Sequence, residues 1–100
     1  MTIESKALAI PDNLAQFDEN SVTELARIWW GGEAAQMTIR PALRDPRHMG
    51  AVLAEAAWNF ANAYADTRGL DRDQAFAEVC EGWTSAHAHA AELAAQTSKK

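Results

Sequence analysis

The chain is short of most features that announce a function directly. It has one cysteine, Cys80, so no internal disulfide can form, and a lone thiol suits a reducing compartment. No apolar run approaches the roughly 20 residues that cross a bilayer. The start lacks the basic flank, apolar stretch and cleavage site of a secretory signal, which makes the cytoplasm the expected location. Lys and Arg total 9 against 14 Asp and Glu, a net charge of -5. Because the basic residues are scattered, the phosphate-neutralising patch of a nucleic-acid binder is missing, as is the cationic surface that docks on anionic lipid. No repeat or low-complexity tract interrupts the chain.

What is present is an ordinary core-forming composition, 48% hydrophobic, in 100 residues. That length supports one domain, with residues 1–6 and 97–100 expected to be flexible. The best-marked element is a helix over residues 46–67. Asp45 suits its N-cap, Pro46 its first position, and Gly69 followed by Leu70 its left-handed stop. Met49, Val52, Leu53, Ala56, Phe60, Ala63 and Tyr64 recur at helical steps and form the expected core face. A second apolar face carries Ala51, Ala54, Trp58, Ala61 and Ala65. Only Glu55, Asn59, Asn62 and Asp66 make a polar strip, so this helix should be covered on more than one side.

Ahead of that helix, residues 7–10 suit a short edge strand held extended by Pro11, and Asp12 suits the cap of one helical turn carrying Leu14 and Phe17 inward. Residues 22–30 fit two periodicities. As a helix, Ser21 and Glu24 make a capping box, and the chain would be all-α. As a strand, the segment leads through Gly31 and Gly32 into the alternating run 35–40. A two-residue turn at Gly31 and Gly32 puts Ala26, Ile28 and Trp30 on the same side as Ala35, Met37 and Ile39. A three-residue loop would set Ile28 against Gln36 and spoil that face, so the strand reading with a tight turn is favoured. Beyond Gly69, Asp71 and Gln74 have capping spacing, and Phe76, Val79, Trp83, Ala86, Ala90 and Leu93 form the single stripe of an amphipathic outer helix.

The fold class expected is therefore α+β, a two-stranded antiparallel hairpin packed on two antiparallel helices. A helix of about 22 residues spans roughly 33 Å and eight-residue strands roughly 27 Å, so the lengths are compatible.

Groups that carry chemistry are few, and each has a plainer explanation. His87 and His89 are two apart on a helix and point to nearly opposite sides, so they cannot chelate one ion. Cys80 and His87 share a flank two turns apart, roughly 10 Å, beyond the reach of a histidine-activated thiol. A packed thiol beside a rim histidine accounts for them. Glu55, Asn59, Asn62 and Asp66 have the pattern of a solvated helix face more than of an acid–base pair, and His48 stands alone. The glycine pair lacks the lysine and spacing of a phosphate loop. No catalytic residue, metal ligand or cofactor site is assigned, and the balance leans away from an enzyme.

Four tryptophans in 100 residues are the most unusual feature. Trp30 and Trp83 are expected on core faces, while Trp29 and Trp58 point away from them, as large aromatics at interfaces and ligand sites do. The expected function is a small homo-oligomeric interaction module without catalytic activity. It would dimerise through the hairpin edge or the Trp58 face, or serve a protein partner. The alternative is a small-molecule binder with a pocket lined by Trp29, Trp30 or Trp83.

The run Glu24 to Trp29, the paired glycines, the strand to Arg40, Asp45 with Pro46, then Gly50, Val52, Leu53, Ala63 and Tyr64, resembles a family of short bacterial proteins known only as a domain of unknown function. The likeness covers most of residues 10–83 and implies strand-like segments in the first half. It implies no activity, and no catalytic or binding residue is carried over from it.

Overall fold

The computed structural model describes residues 2–98. Its element order is three short 3₁₀ turns, strands β1 (Ala26–Gly31) and β2 (Ala34–Ile39), then helices α1 (Pro46–Arg68) and α2 (Arg72–Ser98). The protein is α+β. It divides into two units, Met1–Arg44 and Asp45–Lys100.

In the first unit, the 3₁₀ turns cover Ile3–Lys6, Asp12–Gln16 and Glu19–Ser21. Residues 7–10 form no strand, and the sheet consists of β1 and β2 alone. Pro11, not Asp12, takes the N-cap position of the second turn, whose Leu14 is half-buried while Phe17 stays exposed. Of the ends expected to be flexible, Met1, Lys99 and Lys100 lie outside the described residues.

β1 and β2 pair antiparallel, with Ala26 opposite Ile39, Ile28 opposite Met37 and Trp30 opposite Ala35. Residues 22–30 are thus resolved as strand from Ala26 onward, and the turn has two residues, as the alternation requires. Its position differs by one: Gly31 pairs with Ala34, and Gly32 and Glu33 make the turn. Both have positive φ, 62° and 61°, the pattern of the type I′ turn whose twist matches the strands. A Gly31–Gly32 turn would spare Glu33 a left-handed backbone. It would also leave Ile28 facing Ala35 and Ala26 facing Met37, whereas the observed register matches Ile28 with Met37 and Ala26 with Ile39. Better cross-strand pairs offset the cost at one turn residue.

In the second unit, local chemistry fixes the helix ends. The Asp45 carboxylate accepts from the Arg47 N–H at 3.0 Å, Pro46 occupies the first position, and Gly69 adopts φ 69°, its N–H donating to the Ala65 carbonyl at 3.1 Å. Asp71 caps α2 by accepting from the Gln74 N–H at 3.0 Å. With Gly69, Leu70 and Asp71 as the whole connection, the helices form an αα-hairpin.

The face of α1 turned to α2 corrects the periodicity reading. Ala61 and Ala75 are 0% and 4% exposed, and they are the buried apolar residues among the described ones. Ala57, Ala65, Phe76 and Val79 around them are half-buried. α1 therefore meets its neighbour with its alanine face, the one that carries Trp58. Val52, Leu53, Phe60 and Tyr64, expected to be core, are exposed, although Met49 and Ala56 are half-buried. Small side chains explain the choice, since they let two helix backbones approach at the short end of the usual 8–10 Å range. The two buried residues, Ala61 and Ala75, lie in the part of the helix pair toward the turn. From Glu81 to Gln96 every α2 residue is exposed, including Trp83, Ala86, Ala90 and Leu93 of the outer half of the stripe.

Candidate functional site

The alternation of β1 and β2 builds two chemically distinct faces. One carries Ala26, Ile28 and Trp30 beside Ala35, Met37 and Ile39, as the sequence indicates. It was expected to be a core face, yet Ile28, Trp30, Met37 and Ile39 are 63%, 76%, 57% and 68% exposed. The other face carries Arg27, Trp29, Gln36 and Thr38, and here Trp29 is half-buried, with Leu25 just before the strand. The expected orientations of the two adjacent tryptophans are thus exchanged. Strand geometry guarantees that one of them points each way, but not which way is inward.

Arg27 is the most heavily paired charge of this unit. Its guanidinium donates to the carboxylates of Glu4 and, at 3.1 Å, of Glu24. The hydrogen bond to Glu4, then that to Glu24, favours the charged form and raises the Arg27 pKa above its ordinary value. The cluster is solvent-exposed, so it is screened and holds the N-terminal turn only loosely.

In the second unit, Trp58 is 38% exposed and lies against α2 instead of pointing away from the helix pair. Its ring meets Phe76 edge-on, with centroids 4.9 Å apart and planes at 80°, the favoured geometry for two aromatic quadrupoles. The Arg72 guanidinium sits 4.9 Å from the same ring centre, a cation–π contact. Neither partner was identifiable from sequence. Phe76 is marked as apolar by the α2 stripe, but its neighbour across the turn is set by how the helices pack. An open depression beside Trp58 is lined by Ala54, Glu55 and Asn59.

Trp83 packs against His87 one turn on, with ring centroids 4.6 Å apart. The His87 Nδ1 lies 3.0 Å from the Trp83 carbonyl oxygen. A carbonyl only accepts, so Nδ1 is the donor in this contact. Cys80 is exposed. Among the described residues no three His, Cys, Asp or Glu gather where a metal ion would fit, and no tryptophan stacks on another. The four tryptophans therefore belong to separate environments: Trp29 and Trp30 on opposite faces of β1, Trp58 at the helix contact, and Trp83 on the open half of α2. Among the described residues, no helix is long and apolar enough to cross a membrane.

The uncovered surface is large in total. The chain exposes 9091 Å². Large apolar side chains account for part of it, among them Ile28, Trp30, Met37 and Ile39 in the first unit and Phe60 and Tyr64 in the second.

Known proteins add a fold and a family. A solved structure from the photosynthetic bacterium Rhodopseudomonas palustrus CGA009, described as that of "a putative pyruvate dehydrogenase", is similar to this chain with a TM-score of 0.61 at 19% identity, over 78% of each chain. Likeness at that identity carries the fold and nothing of the neighbour's activity. No curated protein matches the chain. The family model described as Domain of unknown function (DUF5076) matches residues 7–91, past the end of the resemblance noted at Trp83, and the chain belongs to that family.

Proposed function

We propose that the protein is a homo-oligomeric interaction module without chemistry of its own. One observation carries this reading: large apolar side chains stand exposed within each unit, with Ile28, Trp30, Met37 and Ile39 each more than half exposed in the first. Isolated monomers rarely present so much uncovered apolar area, and contiguous patches of it mark association sites. Both units contribute, through Ile28, Trp30, Met37 and Ile39 in the first and Val52, Leu53, Phe60 and Tyr64 in the second. The bacterial cytoplasm is the compartment proposed, because the exposed lone thiol of Cys80 stays reduced there.

Sedimentation equilibrium tests the reading directly. A mass of two or more chains is expected across the micromolar range, and a monomer persisting at high micromolar concentration overturns it.

Small-molecule binding is the second reading, supported by the depression beside Trp58, where Glu55 and Asn59 offer polar atoms next to an indole. Ligand sites generally enclose most of their ligand, and this depression is open and holds a single aromatic among its described lining. Association therefore ranks first.

A further inference from the structure

We infer that the hairpin face of Ala26, Ile28, Trp30, Ala35, Met37 and Ile39 is where two copies of this chain meet, face to face about a two-fold axis. The inference rests on the homo-oligomeric reading and deepens it by naming the surface and its occupant.

Register comes first. Because Ile28 is opposite Met37, Ala26 opposite Ile39 and Trp30 opposite Ala35, all six side chains stand on one side of the sheet as a continuous patch. The four large ones together offer on the order of 600 Å² of apolar surface per copy, against about 800 Å² per partner in interfaces of standard size. The patch is thus a sufficient nucleus for a stable contact once its rim is counted.

Charge selects the occupant. The charged and polar side chains of the strands, Arg27, Gln36 and Thr38, all project from the opposite face, so the patch carries no charge. Copies with a net charge of -5 repel one another on approach, and an uncharged face is where association meets least opposition. A partner recognised through charge finds nothing to pair with there. An identical face is complementary to it in polarity.

Stability points the same way. A two-stranded sheet with a bare apolar face is marginal in water and needs a second layer. Another hairpin at the usual 10 Å sheet separation supplies that layer, and an isologous contact closes at two copies. The hairpin edge is the poorer route: Arg27 on β1, held by Glu4 and Glu24, sets charge along that strand, a common device against edge pairing.

The test combines substitution with cross-linking on the full chain. In a Cys80→Ser background, Met37→Cys and Ile28→Cys are treated with a short bis-maleimide, with Thr38→Cys on the opposite face as control. Met37→Glu is examined by sedimentation. Burying an unpaired carboxylate in this contact is expected to weaken the dimer at least about 100-fold. The expected result is covalent dimer from the position 28 or 37 variant, none from the position 38 variant, and dissociation of Met37→Glu. If Met37→Glu loses its fold by circular dichroism, cross-linking decides, since cysteine keeps the site apolar. A wild-type dimer that survives Met37→Glu and cross-links no better at 28 or 37 than at 38 overturns the inference and leaves the oligomeric reading intact. Dissociation by Phe60→Glu in its place would assign the contact to α1 and overturn it equally. A monomeric wild type overturns both.

Discussion

Trp58→Ala is the most informative perturbation of the helix pair, because two roles for this ring predict different numbers. At 38% exposure, roughly three-fifths of the side chain is covered. Aromatic side chains bury about 150–250 Å² when fully covered, so roughly 150 Å² is lost to water on truncation. At about 25 cal/mol per Å², less the methyl that remains and alanine's better helix propensity, Trp58→Ala should cost about 2–3 kcal/mol. Part of that is specific to the ring pair. The edge-on contact with Phe76 at 4.9 Å should appear as a coupling of about 1 kcal/mol in a double-mutant cycle of Trp58→Ala and Phe76→Ala. Urea unfolding of the four proteins, followed by far-UV circular dichroism, measures it. Repeating the series at tenfold higher protein concentration separates an effect within the chain from one that acts through association, because only the latter shifts with concentration. A coupling indistinguishable from zero, with a loss that shrinks as concentration rises, would refute the packing of Trp58 on α2.

Two local predictions accompany it. Glu33→Gly removes a left-handed backbone from a residue with a side chain and should stabilise the hairpin by roughly 0.5–1 kcal/mol, seen as slower amide exchange at Ile28 and Met37; faster exchange would contradict the turn geometry. Asp45→Ala should cost about 1 kcal/mol in thermal or urea unfolding by stripping the cap from the Arg47 N–H, while Asp45→Asn, which still accepts there, should recover most of it.

The structure locates where periodicity stops being informative. Side-chain alternation has a period of two, so it identified which hairpin residues share a face, and it excluded the odd-numbered slip that would mix Ile28 with Gln36. A slip of two leaves both faces unchanged. The choice between a turn at Gly31–Gly32 and one at Gly32–Glu33 therefore fell to individual pairs, Ile28 with Met37 and Ala26 with Ile39. The candidate tryptophans show the same limit. Sequence separated Trp29 from Trp30 correctly onto opposite faces, yet assigned inside and outside the wrong way round, because cover is supplied by other parts of the molecule.

Helix α1 states the division most clearly. The sequence by itself determined its ends, since Asp45, Pro46 and Gly69 act on backbone groups within a turn of themselves and need no partner. It also favoured the α+β class over an all-α one, and it marked two apolar faces on one helix. Only the tertiary structure decided between those faces. It turned the alanines and Trp58 to α2 and left Phe60 and Tyr64 more exposed than Trp58, with Val52 and Leu53 covered only to the same degree as that ring, because close packing of two helices rewards small side chains at the contact more than large ones. Size and hydrophobicity are properties of a residue. Burial is a property of the surface that meets it.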